Sequence, residues 1–416
     1  MSAIKLIFIL PNIYECINGV STKYIKFIDY LLKTEHVTLF TTFKNKDKYD
    51  ELFKKTNLNL IKTKGLTIPF YKEIKVPIVS ESTLKAEIKN GNEIIIFNGE
   101  FIWLYEILNK LKIKHKNLKL YPTMHTDYVF YGEYVYSKFK FYNFSFTSVL
   151  NYLDNYLEKK IFNGIIVTGE KMKEKYSVFS DSVFNANEVN LDIFNSAKVD
   201  NYETNFYNFI YCGRISKEKN IEEVLDCCLA LNDKYNYVLN IIGDGPYLQN
   251  LQDIIHLQYN KIKSKIIFHG NKNQSEINAL YQSLENRFFI FTSISETFGK
   301  TPMEAGATGI PIFIKKCEIS DVLYINKKNA FIFDNKNDFV DLFDNFLKLD
   351  KFEKEIFISN SVNNIKKYDQ NIIFADYYDF LLNGKLLKKN NINFFDIFTF
   401  HSLSKLINCS GTIMAD

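Results

Sequence analysis

The stretch SISETFGKTPMEAGATGIPIF, Ser293–Phe313, decides how this chain is read. It leaves one apolar run, FFIFT, and enters another, IPIFI. Short apolar runs bounded by turn residues read as buried strands of a parallel sheet. Pro302, just past the Phe298-Gly299 pair, suits the first turn of a helix, where a missing N–H costs nothing. The spacing therefore predicts a helix beginning near Thr301 or Pro302. Phe298, Gly299 and Lys300 then form a loop whose amides point forward with the positive end of that helix, an anion site. Glu296 precedes the loop and Glu304 lies about one turn into the helix, so both carboxylates border the same bound molecule. Strand, loop, helix and strand together make the repeating unit of an α/β sheet.

The same unit recurs on both sides. Upstream of it come FIYCGRISKEKN (Phe209–Asn220), YVLNIIGDGP (Tyr237–Pro246) and KIIFHGNKN (Lys265–Asn273), each followed by a helical pattern; NAFIFD (Asn329–Asp334) and a terminal helix come after. An earlier series starts with IKLIFIL (Ile4–Leu10) and a helix over STKYIKFIDYLLK, with Ser21 able to cap it. HVTLFTT, EIIIFNG, LKLYPTMHTDY and GIIVTGEKMKEKYS continue that series. Between the two lies NEVNLDIFNSAKVDNYETN (Asn187–Asn205), poor in apolar residues and read as a linker. The expected architecture is α/β with two doubly wound Rossmann-like domains. An N-terminal domain spans 1–195 and a C-terminal domain 206–365. Residues 366–416 form a terminal helix crossing back to the N-terminal domain, plus a tail. Such sheets bind ligands beyond the carboxyl ends of their strands.

Composition narrows the function. With 416 residues the chain is too long for one ordinary core and suits two domains. A net charge of +4 is too weak to mark a nucleic-acid protein. The cysteines (Cys16, Cys212, Cys227, Cys228, Cys317 and Cys409) are scattered without metal-ligand spacing, so reduced thiols and a cytoplasmic location are expected. The opening apolar run is too short for a signal peptide, and no stretch reaches membrane-spanning length. Peripheral contact with a membrane is left open. The aromatic-rich stretch Tyr121–Phe146, with Lys138 and Lys140, reads equally as core or as a wall for sugars and acyl chains.

The loops of the second domain carry the chemistry. Arg214 and Lys219 follow its first strand and supply positive charge for a diphosphate. Glu296 and Glu304 accept hydrogen bonds from sugar hydroxyls. GDGP is a tight turn, and His269-Gly270 ends a strand with Gly270 near the base through its backbone. Together these describe a pocket for a nucleoside diphosphate sugar. In these residues the second domain resembles the donor domain of family-4 glycosyltransferases, retaining enzymes of the GT-B fold. That family's hallmark is two glutamates separated by seven residues, and Gly213, Arg214 and Lys219 match its Gly-Arg and Lys positions.

The resemblance implies that the two domains face a cleft and that a hexose passes from a UDP- or GDP-sugar to a glycan or lipid acceptor. Arg214 and Lys219 neutralise the donor diphosphate, Glu304 holds the ribose and Glu296 touches the transferred sugar. Amides around Phe298, Gly299, Lys300 and Thr301 hold the sugar and the distal phosphate. In the first domain, NGVS resembles the family's glycine loop, with Gly19 and Val20 in place and Asn18 where a first glycine is common. MHTDY resembles the His-Thr segment of lipid-glycosylating members and places His125 near the reactive carbon. FNANEVNLDIF resembles a degraded Asn-Gly-Val-Asp segment. No metal or other cofactor and no nucleic-acid partner is expected. The alternatives are a non-catalytic sugar-nucleotide-binding protein, or an epimerase or phosphorylase on the same fold.

Overall fold

The computed structural model describes residues 4–15, 19–43, 54–68, 71–89, 91–99, 101, 103–125, 161–177, 182–195, 199–203, 205–294 and 296–384. Two compact units emerge, one made of the chain up to Asn187 together with the part from Phe374 onward, the other of Glu188–Ile373.

The first unit is a parallel sheet in the order β3-β2-β1-β6-β7-β8-β9. Its strands are β1 (Lys5–Ile9), β2 (His36–Thr41), β3 (Leu58–Lys62), β6 (Ile94–Asn98), β7 (Lys119–Met124), β8 (Ile165–Val167) and β9 (Val183–Asn185). Continuous apolar runs form these strands because helices cover both faces: Leu6, Ile7, Phe8 and Ile9 are all fully buried. An antiparallel hairpin, β4 (Lys64–Ile68) and β5 (Tyr71–Ile78), sits outside the alternating pattern and was not expected from it. The first helix runs Gly19–Leu31, so Ser21 lies inside its first turn and not at its cap.

The second unit is a parallel sheet in the order β12-β11-β10-β13-β14-β15. Its strands are β10 (Phe206–Cys212), β11 (Asn236–Ile242), β12 (Ile266–Gly270), β13 (Arg287–Phe291), β14 (Ile312–Lys315) and β15 (Phe331–Phe333). Strand order runs one way from β10 through β11 and the other way from β13. A crevice therefore opens at the carboxyl ends of β10 and β13, where neighbouring loops diverge to opposite faces.

The stretch read as a linker is largely part of the second unit. Asp200 accepts from the fully buried Arg287 side chain at 2.8 Å, and Tyr202 and Phe194 are core residues. Val189 donates to the Tyr368 carbonyl and accepts from the Gln370 amide. The units consequently divide after Asn187 and after Ile373, against the sequence-based boundaries at 195, 206 and 365. The final described helix, Gln370–Asn383, packs its rings into the first unit. Tyr377 stacks on Phe27 with centroids 4.1 Å apart, Phe184 stacks on Phe380, and Tyr121 donates to the Leu381 carbonyl.

Cys212, Cys227, Cys228 and Cys317 are free thiols, and burial pushes Cys212 up to about 12. Among the described residues no helix is long and apolar enough to cross a membrane. The aromatic run from Tyr128 to Phe146, with Lys138 and Lys140, lies outside the described residues, as do Cys16, Asn18 and Cys409.

Candidate donor site

The two loops at the β10/β13 crevice are tied together by backbone. The hydroxyl of Thr292 donates to the carbonyls of Lys219 (3.1 Å) and Asn220 (2.9 Å), and the Ile294 amide donates to the Glu218 carbonyl. Asn220 takes a left-handed conformation (φ 50°) that turns the chain out of a 3-10 turn, Lys217–Lys219, into the helix Ile221–Leu231. These constraints bring together two residues far apart in sequence. Lys219 Nζ lies 2.7 Å from Glu296 Oε2, both side chains being about one-fifth exposed. Arg214, on the same loop, is exposed, and its carbonyl accepts from the Tyr211 hydroxyl at 2.9 Å.

The GDGP turn is packed against this loop. A Cβ on Gly243 (φ 137°) would lie 1.9 Å from the Gly213 carbonyl oxygen, so only glycine allows the approach. The Ile215 amide donates to the Asp244 carbonyl, and the Gly243 amide donates to that of Gly270. Gly213, Gly243 and Gly270 thus set the relative height of three strand-end loops. His269 holds Asn240 at 2.9 Å, a contact inside the sheet.

Past Glu296 the chain is bent by Gly299 (φ 72°), where a Cβ would meet Ile319 at 2.4 Å. Gly299 is the N-cap of the helix Lys300–Ala307, which starts one residue before the expected Thr301. Lys300 is therefore in the helix and not in the loop, and Pro302 occupies its first turn. The Phe298 ring is buried against Tyr368, leaving only its backbone to a ligand. Lys300 Nζ lies 2.5 Å from the carboxylate of Glu188, which is 1% exposed. Glu188 sits in the segment read as linker, so nothing in its local sequence singled it out.

Glu304 lies on the second turn of this helix and is 3% exposed. Its Oε1 accepts from Gln274 Nε2 at 2.6 Å. Cys212 and Tyr281 lie within electrostatic reach. Burial first, and Glu304 among the charges, raise both of them, which keeps them neutral. Cys212 on β10, and Tyr281 and Gln274 on the helix Gln274–Ser283, are thus uncharged neighbours of Glu304.

Three candidate residues belong to the first unit. Gly19 and Val20 open its first helix. His125 follows β7, with Nε2 3.0 Å from Thr123 Oγ1 and 3.1 Å from Tyr24 Oη. Thr123 donates its only hydroxyl proton to the Phe97 carbonyl, which leaves its oxygen to accept. That assigns the ring proton to Nε2 and leaves Nδ1 as the bare nitrogen, buried and without a hydrogen-bond partner among the described residues. Burial, then the nearby Lys23 ammonium, holds His125 well below the usual histidine range. Sequence reasoning missed Tyr24, Thr123 and Lys23, which read as ordinary helix and strand positions.

The fold is of the GT-B class, two doubly wound units, as in solved structures that cover nearly the whole chain. Sucrose-phosphate synthase from Thermosynechococcus elongatus superposes with a TM-score of 0.66 at 14% identity, over 91% of this chain and 98% of that one. The Anabaena protein HepE, solved in complex with UDP, does so with a TM-score of 0.64 at 12% identity, over 91% and 99%. More particularly, residues 193–362 match the family model of glycosyl transferases group 1. Alpha-monoglucosyldiacylglycerol synthase from Streptococcus pneumoniae is 39% identical over 101 residues, 24% of this chain and 22% of that protein. The matched stretches span 21% to 31% of the length of the curated relatives.

Proposed function

We propose that the chain is a retaining family-4 glycosyltransferase that moves a hexose from a UDP- or GDP-sugar to a glycan or lipid acceptor. The observation that carries this reading is the joining of the β10 and β13 loops, which sets Lys219 against Glu296 at the switch point of the sheet. A cation and a carboxylate at one strand-end crevice are what a sugar diphosphate requires, one for the phosphates and one for the hydroxyls. The group 1 match over 193–362 covers this unit, and the names of the partial relatives include a lipid-glycosylating synthase.

In this mechanism Arg214 and Lys219 take the negative charge that grows on the departing diphosphate, helped by amides at the start of the helix Lys300–Ala307. The bond from the anomeric carbon to the phosphate oxygen breaks, a bond to the acceptor hydroxyl oxygen forms, and the hydroxyl proton leaves with the diphosphate. Glu296 faces the transferred sugar as positive charge develops on it. Glu304 holds the ribose, which does not change. Gly19, Val20 and His125 keep the roles that the family resemblance gives them, and no metal is needed. The protein works in the cytoplasm, with a membrane surface as one source of acceptor.

A donor screen tests the reading. Binding of UDP and GDP by calorimetry, followed by incubation of the preferred labelled sugar nucleotide with lipid and glycan extracts, should give a labelled product with the anomeric configuration of the donor. Tight nucleotide binding with no transfer to any acceptor would favour a binding protein, and an inverted product would remove the retaining assignment.

A further inference from the structure

The loop-to-helix junction at Asn273-Gln274 sends one side chain to another helix. Asn273 caps the helix Gln274–Ser283 by accepting from the Glu276 amide, and Glu276 returns the contact to the Asn273 amide. That reciprocal box satisfies the Asn273 and Glu276 amides. The Gln274 amide instead reaches across to another helix and donates to Glu304 Oε1 at 2.6 Å. A carboxylate that is 3% exposed needs donors, and an amide supplies one without cancelling its charge. A lysine or arginine at this place would form a buried ion pair and compete with any hydroxyl for the same oxygens.

We propose that Gln274 is a positioning residue for nucleoside recognition: it fixes the rotamer of Glu304 so that the carboxylate meets the ribose hydroxyls of the donor. The inference rests on the donor reading above, and it assigns to Gln274 a role in telling ribose from deoxyribose. Gln274 makes no contact with the reacting atoms, so its loss changes donor affinity and leaves the chemical step alone.

The test measures binding of UDP and GDP against their 2′,3′-dideoxy forms, for the full chain and for Gln274→Ala, Gln274→Glu and Glu304→Gln. The unmodified chain should prefer the ribo form by about tenfold to a hundredfold, the size of one or two charge-assisted hydrogen bonds. Gln274→Ala should shrink that preference to within about threefold, and the Gln274→Ala/Glu304→Gln pair should be no worse than Glu304→Gln alone. Gln274→Glu keeps the shape but faces like charge with like charge, so it should lose the preference entirely. Unchanged melting temperatures show that the capping box has kept the helix. If the unmodified chain and Gln274→Ala show the same ribo preference while Glu304→Gln loses it, the Gln274 role is wrong and the Glu304 assignment survives. If the unmodified chain shows no ribo preference, the placement of the nucleoside against Glu304 fails, and this inference with it.

Discussion

The Lys219 ammonium and the Glu296 carboxylate meet at 2.7 Å across 77 residues of sequence, as one ion pair. A diphosphate arriving at Lys219 must compete with Glu296 for it. Glu296→Gln removes the competitor, so UDP and GDP without sugar should bind as tightly as before or up to about tenfold tighter. Transfer should nonetheless slow, with kcat falling more than donor KM rises, because in the proposed mechanism the carboxylate meets charge that exists only as the bond breaks. Calorimetry and steady-state kinetics on the same preparation check both halves. Weaker nucleotide binding in Glu296→Gln would mean that Lys219 is not on the phosphates.

On the proposed donor reading, Arg214→Ala and Lys219→Ala each remove a charge that faces the leaving group. Each should lower turnover on the order of a hundredfold. Wild-type rates in both variants would remove the donor site from this crevice.

Glu304→Gln should fail in the opposite sense to Glu296→Gln. In the proposed mechanism its partner is the ribose, the same in ground and transition states, so donor KM should rise while kcat changes little. Kinetics in which Glu304 governs kcat and Glu296 governs KM would turn the donor round in the loop.

The Lys300–Glu188 contact predicts an asymmetry in stability. Glu188 is almost completely buried, whereas Lys300 retains some exposure. Lys300→Ala strands a buried carboxylate and should cost about 3 kcal/mol. Lys300→Met with Glu188→Gln removes both charges and should recover most of that loss, read as Tm. Equal losses in the single and double variants would show that the pair is not what holds this junction.

His125 gives the first unit a pH dependence. Its folded form keeps the proton off well below pH 6.5, whereas the unfolded chain takes it up near that value. Stability from this group is fully present above about pH 6.5 and is lost as pH falls below it, by up to about 1.4 kcal/mol per pH unit until the folded ring itself titrates. Lys23 adds positive charge beside the ring, and the Tyr24 hydroxyl lies 3.1 Å from Nε2. Urea denaturation between pH 7 and pH 5 should show this slope, and His125→Gln should flatten it. An unchanged slope in that variant would place the titration elsewhere.

Much of this was legible in the chain. The short apolar runs gave β1, β2, β6, β7, β8 and the strands of the second sheet, because buried parallel strands need no alternation. Lys219 and Glu296 could be paired as chemistry, though not as neighbours, because their contact depends on Thr292 tying two loops that sequence leaves 77 residues apart. Gln274 and Glu188 were invisible for a related reason. Each does its work on a residue of another element, while its own surroundings look like a helix start and a polar connector. The β4–β5 hairpin lay in a region with no strand-helix alternation to reveal it.

The helix Gln370–Asn383 also fixes the order in which the protein is completed on the ribosome. The second unit is one continuous segment, Glu188–Ile373, and can close as soon as that segment has emerged. The first unit begins earlier but ends later, since the faces of Phe27 and Phe184 wait for Tyr377 and Phe380. Phe27 and Phe184 therefore go without these ring partners for nearly two hundred residues of elongation. A nascent chain stalled just short of Phe374 would carry a finished second unit beside a first unit that chaperones can still grip.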